Sequence, residues 1–410
     1  MMKILINHLG GIRNAEIEVK PFMVFTGDSG LGKSYTAFLI DYLFNVIASD
    51  RVRYFVREKM KSLSKERQGQ GFTFTFGELR EWMRNDVSQY LGYLLGNEAF
   101  SCDVEYVFEL PDETLFEISV KYVDNYIRLS NGKKNAFFPK EYDNWEDMYS
   151  TVINASLCTQ ILHRQNLKPI LLPPARGAFM GTRNAKDSFE SIGMYKGKLI
   201  PLMDKLSSAP EHRSADSRLF HDAIQKLTGG ELTVRDGQLF LSLAKGQTMI
   251  PISAAASSVK ELTPLLRLLQ TAEYIDDYSI LFEEPEAHVH PKNQDAFADL
   301  IVSMLRRGAL FQITTHSDYL LSRLNQLIRF GEMRQTDWQR FSTFCEKNHT
   351  PSDLYLLPEE VGAYFFSSNA DGSVSIERQD AANGIPFTTF CDIVTQQERV
   401  DDQIEMLMEG

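Results

Sequence analysis

Eight consecutive residues, Gly27-Asp28-Ser29-Gly30-Leu31-Gly32-Lys33-Ser34, carry the first chemistry legible in this chain. Their spacing, G-x-x-x-x-G-K-[ST], is that of a loop that cradles phosphates. Glycines let the backbone wrap a phosphate chain with its N–H groups turned inward, and a helix that follows adds the partial positive charge of its N-terminus. Lys33 would reach the β- and γ-phosphates, and the Ser34 hydroxyl would ligate Mg²⁺. A second cluster is Glu283-Glu284-Pro285-Glu286-Ala287-His288-Val289-His290-Pro291. One carboxylate at the tip of a buried strand can hold the water shell of a metal ion, and its neighbour can take a proton from an attacking water. Glu283 suits the metal role and Glu284 the general base. A third cluster, Thr314-Thr315-His316-Ser317, offers an imidazole that can donate to a γ-phosphate and sense its loss.

These groups need rigid supports at the same end of one sheet. Met23 to Thr26 is short, apolar and partly β-branched, as a buried strand should be, and Tyr35 to Phe44 reads as the helix after the loop. Tyr278 to Phe282 and Leu310 to Ile313 are two more apolar runs of strand length. Ile4 to Phe25 reads as antiparallel strands turning at Gly10-Gly11. A helical insertion is expected from about 49 to 97, then alternating strands from Cys102 to Leu129. Pro169 to Gly177 reads as a strand entering a rigid turn, and Glu231 to Leu241 as a hairpin with Asp236-Gly237 at its turn. After His316 the pattern predicts a helix, a loop near 348–352, a hairpin around Asn369 to Gly372, and an acidic, frayed tail from Val400.

The order of these motifs resembles the ABC-type ATPase heads of the SMC-like and OLD group. The form Glu-Glu-Pro-Glu-x-His-x-His-Pro is most similar to OLD-family ATPases and to compact ATPases of bacterial anti-phage systems of the Septu type. The resemblance runs from Ile4 to about Val394. It implies an α/β fold: an ABC-type P-loop ATPase head with a mixed central sheet, an antiparallel β subdomain and a helical signature lobe. It divides the chain into core with P-loop (1–48), helical insertion (49–100), antiparallel β and lid region (101–176), helical lobe with signature loop (177–272), core with Walker B and switch His (273–400) and tail (401–410). It implies ATP and Mg²⁺ as cofactors, Glu284 and His316 as catalytic residues, Ser34 and Glu283 at the metal, and nucleotide held by residues Gly27 through Ser34.

In that group a signature serine at a helix start binds the γ-phosphate of the opposite subunit. The candidates here are Ser257 and Ser258, in the run Ile252 to Val259, with a plain helix cap as the alternative. The resemblance thus implies a homodimer or higher oligomer closed through an ATP sandwich. The sequence departs from the family in three places: Glu283 stands for the Walker B Asp, Asp28-Ser29 and Leu31 alter the loop, and the signature glycines are missing. Arg176 falls in an element like the family's LPxxR, facing a phosphate, bracing the lid, or making a structural salt bridge. Gln160 and Gln165 are the available lid glutamines.

No heptad tract separates the first motif from the signature region, so long coiled-coil arms are not expected. OLD proteins carry a nuclease domain downstream of the ATPase; no Asp-x-Asp with an upstream Glu follows His316, so the chain reads as an ATPase head by itself. A separate effector, a nuclease or toxin, is the partner this implies. The net charge of −12 argues against a surface that tracks DNA throughout. Nucleic acid stays open as a partner through the basic run Arg51 to Arg67, which could hold a nucleic-acid backbone or an acidic partner, although a solvated helix face is the commoner meaning of such a run. No run of about 20 apolar residues suggests a membrane span, and no signal peptide is evident. Four scattered cysteines, Cys102, Cys158, Cys345 and Cys391, read as reduced thiols of a cytoplasmic protein.

Overall fold

The computed structural model describes residues 2–61, 68–132, 134–180, 191–209, 215–243, 246–386 and 389–409. Its strands are β1 (Met2–Leu9), β2 (Ile12–Glu18), β3 (Phe22–Gly27), β4 (Phe72–Thr75), β5 (Cys102–Phe108), β6 (Leu115–Val123), β7 (Tyr126–Ser130), β8 (Asn135–Pro139), β9 (Lys168–Leu172), β10 (Glu231–Arg235), β11 (Gln238–Leu243), β12 (Thr248–Pro251), β13 (Tyr278–Glu283), β14 (Leu310–Thr314), β15 (Val361–Ser368) and β16 (Val374–Gln379). The helices are α1 (Lys33–Ala48), α2 (Val52–Met60), α3 (Phe76–Leu95), α4 (Trp145–Leu157), α5 (Ile200–Ser208), α6 (Ala215–Thr228), α7 (Ser257–Thr271), α8 (Pro291–Arg306), α9 (Asp318–Thr336), α10 (Trp338–Asn348) and α11 (Thr389–Glu409).

A nine-stranded mixed sheet in the order β5-β1-β2-β16-β15-β3-β14-β13-β9 forms the centre. Its functional half is parallel: β15, β3, β14, β13 and β9 all run the same way. Such strands need cover on both faces, and their sequences are accordingly mostly apolar rather than alternating. Strand β3 sends Met23 and Phe25 to one side and Phe22 and Val24 to the other. Helices α1, α3 and α4 pack the first side, and α7, α8 and α9 the second. Helix α1 is apolar nearly all round and buried over most of its length, as a helix enclosed by the core must be.

Two small antiparallel sheets flank this core, β4-β6-β7-β8 and β10-β11-β12. In the second, Asp236 and Gly237 both have positive φ, the backbone a two-residue type I′ turn demands. The expected Gly10-Gly11 turn joins β1 to β2. Three expectations need correction. The 49–97 segment is not wholly helical: β4 lies between α2 and α3 and founds the first small sheet. Strand β5 leaves its sequence neighbours and pairs with β1 in the main sheet. The tail is helical, because α11 runs to Glu409. Among the described residues no helix is long and apolar enough to cross a membrane.

The arrangement at the carboxyl ends of β9 and β13 rests on Arg176, which is fully buried. Its Nη1 donates to the carbonyls of Pro173 and Glu283, both at 2.9 Å, and its Nε to the carbonyl of Glu261 on α7, also at 2.9 Å. The guanidinium lies 4.1 Å from the Phe282 ring centroid and 3.5 Å from the Glu261 carboxylate. Arg176 is therefore a structural brace, not a phosphate ligand. Burial pulls its pKa down to about 10, against the pull of Glu261, Glu286, Glu283 and Glu284, so it stays charged at neutral pH. Arg176→Ala leaves Glu261 and several carbonyls buried without a partner, and should destabilise the fold by about 3–5 kcal/mol in denaturant titrations. Arg176→Lys should recover little of that, since an ammonium cannot reproduce the fork.

Candidate nucleotide-binding and hydrolysis site

The loop between β3 and α1 turns on Gly27, Gly30 and Gly32, all at positive φ. Gly27 has φ 120°, and a Cβ there would lie 2.2 Å from the carbonyl oxygen of Phe366 on the neighbouring β15. Gly32, with φ 89°, is the N-cap of α1, and a Cβ there would strike Ile12 at 2.9 Å. At Gly27 a side chain is thus excluded by close backbone approach as well as by φ, and at Gly32 by φ and the packed Ile12 side chain. Asp28, Ser29 and Gly30 are exposed at the rim, and Leu31 turns inward to pack on the core. No side chain caps α1, so the amide groups of its first turn are free to meet an anion.

Lys33 is buried and folds back over the loop, donating to the carbonyls of Gly27 at 2.9 Å and Asp28 at 2.6 Å. Burial pushes its pKa down to about 8, opposed by the nearby carboxylates of Glu284, Asp28 and Glu286. An ammonium held in this way gains from any anion brought to the loop.

Glu283 ends β13 and is 2% exposed. Burial raises its carboxyl pKa to about 7, with the Ser34 hydroxyl lowering it, Glu284 raising it and Arg176 lowering it. Its Oε1 is buried with no hydrogen-bond partner in the protein. A buried oxygen without a partner, beside a serine hydroxyl, is a donor set that fits a hard divalent cation. No group of three or more His, Cys, Asp or Glu side chains able to hold a metal exists among the described residues. A cation here would therefore depend on Ser34, Glu283, phosphate oxygens and water, as Mg²⁺ does in phosphate sites.

Glu284 follows in the left-handed region, φ 43°, a conformation that costs a non-glycine residue on the order of 1–3 kcal/mol. Two hydrogen bonds hold it there: its N–H donates to the Thr314 carbonyl at 3.0 Å and to Thr314 Oγ1 at 3.3 Å. The turn presents the Glu284 side chain to solvent at the end of the parallel strands. Glu286, which the sequence reading gave no role, is the tie between the two carboxyl-end loops. Its Oε1 accepts from Thr315 Oγ1 and from the His316 N–H, both at 2.8 Å. His316 is half-buried, and its pKa is lowered by burial first and by Lys33 second, with Glu284 and Asp28 opposing. Both influences favour the neutral imidazole, which can donate one N–H and accept at the other nitrogen.

Lys33, Ser34, Glu283, Glu284 and His316 thus gather at the carboxyl ends of β3, β13 and β14. Ser257 and Ser258 do not join them. They occupy the first turn of α7, whose N-cap is Ala256, so neither serine is the helix cap. Ser257 is exposed and Ser258 partly so, and no hydrogen bond links either to the loop of their own chain among the described residues. The lid candidates are misplaced as well. Gln160 and Gln165 precede the amino end of β9, and Arg164 beside them donates to the carbonyls of Asp276 and Gly308, ahead of β13 and β14. That is the end of the sheet opposite the loop. The basic run is largely neutralised: Arg51 pairs with Asp86, Arg53 and Arg57 with Glu146, and Lys59 with Glu78. Lys65 and Arg67 lie outside the described residues.

A family profile described as an AAA ATPase domain matches residues 182–321, about a third of the chain, including the acidic turn and His316. Among solved structures, an SMC head domain from Thermotoga maritima aligns over 92% of this chain and 98% of its own at 13% identity, with a TM-score of 0.36. An SMC head bound to the C-terminal winged-helix domain of ScpA aligns over 93% and 98% at 12% identity, with a TM-score of 0.41. An SMC head with an extended coiled coil from Pyrococcus furiosus, bound to the C-terminal domain of ScpA, aligns over 99% and 100% at 11% identity, with a TM-score of 0.38. Likeness at that level says nothing about this chain's chemistry. No curated relative matches it.

Removing the Lys33 charge leaves the loop with carbonyls and carboxylates facing a polyanion. Lys33→Ala should abolish Mg-ATP binding in calorimetry, with its melting temperature no longer raised by nucleotide. Wild-type affinity in the variant would place the phosphates elsewhere.

Proposed function

We propose that this chain is a Mg²⁺-dependent ATPase of the SMC-like and OLD-like kind, in which ATP joins two copies and the joined state regulates a separate effector, a nuclease or toxin, in anti-phage defence. The observation that carries the hydrolytic reading is the convergence of Lys33, Ser34, Glu283, Glu284 and His316 at one end of the parallel strands. The free first turn of α1 and Lys33 bind the phosphate chain. Ser34 and Glu283 hold Mg²⁺, which when bound neutralises charge on the phosphate oxygens. Glu284, exposed on its strained turn, orients the attacking water and accepts its proton. His316, neutral and anchored through its backbone to Glu286, donates to the γ-phosphate.

Dimerisation is supported by the exposed α7 N-terminus. Ser257 and Ser258 leave their own loop unmet, while the uncapped first turn suits an anion from outside. Closure across the γ-phosphate would complete each site in trans. The effector enters by linkage: ATP can bias a partner only through a difference in that partner's affinity for open and closed dimers.

Glu284→Gln keeps the shape but cannot take the proton, so hydrolysis should fall by about two to four orders of magnitude in steady-state assays. ATP should still bind and accumulate a dimer detectable by light scattering. Full turnover would remove Glu284 from the base role. The composite site has its own test. Lys33→Ala chains and chains altered at both Ser257 and Ser258 should each be inactive, and mixing them should restore activity, since a mixed dimer regains one intact site. Absence of rescue in verified mixed dimers would refute action in trans.

A further inference from the structure

The sheet β4-β6-β7-β8 buries one face and leaves the other to solvent. Phe116, Ile118, Ile127 and Leu129 point into the core. By the alternation of a strand, Lys121 and Val123, Tyr126 and Arg128, and Phe137 point outward. The register sets Lys121 directly opposite Arg128, and Arg128 directly opposite Phe137. Two like charges facing each other across strands destabilise a sheet. No carboxylate pairs with either cation among the described residues, so folding itself supplies no reason for the pair.

The surroundings repeat the signal. From 121 to 140 the sequence holds five cations, Lys121, Arg128, Lys133, Lys134 and Lys140, against one acid, Asp124, in a chain of net charge −12. The large side chains on this face are also left out: Tyr126 is 52% exposed and Phe137 59%. Arg128 is pre-oriented, because Nε and Nη2 both donate to Asn135 Oδ1, at 3.0 and 2.8 Å, while its carbon Cζ sits 6.0 Å from the Phe137 ring centroid. A pair of cations beside exposed rings on an open antiparallel sheet face is the chemistry that holds a phosphate backbone while bases stack. A duplex hides its base faces and would leave the rings unused. An acidic peptide would satisfy the cations alone.

We propose that the outer face of β6, β7 and β8 binds single-stranded nucleic acid, with Lys121 and Arg128 on the phosphates and Tyr126 and Phe137 under the bases. This surface is separate from the helix α2 region, where Arg51, Arg53, Arg57 and Lys59 are paired internally, and it requires no nucleotide at the ATP loop.

The test uses the full chain and labelled single strands of about 12 nucleotides, oligo-dT and oligo-U, in fluorescence anisotropy at about 50 mM salt. Binding of either strand is expected, weaker for a duplex of equal length. Phe137→Ala should weaken it at least fivefold, and Lys121→Gln with Arg128→Gln at least tenfold. The double change should also lower the slope of log affinity against log salt by about 0.7 per cation removed. Arg57→Gln, from the paired basic run, should leave binding unchanged. Lys121→Glu relieves the like-charge pair, so it should melt no lower than wild type while losing affinity, which separates lost binding from lost fold. The proposal is overturned by no binding at low salt, by duplex binding equal to single strand, by indifference to Phe137→Ala, or by polyglutamate displacing the strand as well as unlabelled oligonucleotide does.

Discussion

The buried guanidinium of Arg176 holds together three segments that are remote in sequence: the turn after β9, the acidic turn after β13 and the first turns of α7. A charge with no access to water must be met by dipoles and counter-charge in fixed positions. Carbonyls of Pro173, Glu283 and Glu261 supply most of that, with the Glu261 carboxylate and the Phe282 ring completing it. The geometry of both the acidic turn at Glu283-Glu284 and the exposed α7 N-terminus follows from this one group. Neither turn can slide on the other without leaving the guanidinium unpaired, so the two candidate halves of a composite site are mechanically joined within each chain.

Around the loop, carboxylates outnumber cations. Glu283, Glu284, Glu286 and Asp28 all act electrostatically on Lys33 or on one another. Burial opposes ionisation at both ends of this set, lowering Lys33 to about 8 and raising Glu283 to about 7. Each shift marks a charged form short of partners. A divalent cation would relieve the carboxylates, and a polyphosphate would relieve the ammonium and the free amides of α1. The backbone strain at Glu284 belongs to the same design, since its two bonds to Thr314 tie the strained turn to the strand that leads to His316. Glu286 closes the loop from the other side.

Charge is sorted differently over the rest of the molecule. The cations that look most basic in sequence, from Arg51 to Lys59, are taken up by Asp86, Glu78 and Glu146 on α3 and α4. They cement helices instead of facing a polyanion. On the small sheet, Lys121 and Arg128 meet no carboxylate among the described residues, and Arg128 sits beside an exposed ring. Density of positive charge along the chain is thus a poor guide to where a polyanion would bind; the deciding quantity is which cations lack a carboxylate.

What the sequence determined by itself was local: strand–loop–helix at 22–48, the apolar strands before Glu283 and Thr314, and the hairpins at Gly10-Gly11 and Asp236-Gly237. Hydrophobic period and turn chemistry reside in adjacent residues, so they can be read without the fold. The loop glycines and the acidic turn were legible for the same reason. Tertiary structure alone decided the rest. Glu286 reaches residues about 30 positions away, and Arg176 reaches partners more than 80 positions away, distances at which side-chain contact depends on topology. The parallel direction of β9 put Gln160 and Gln165, the two glutamines the sequence made available for a lid, at the wrong end of the sheet. Strand register set Lys121 against Arg128, an opposition no linear pattern contains. Periodicity specifies which face of an element is apolar, but only the packed chain specifies what each polar group meets.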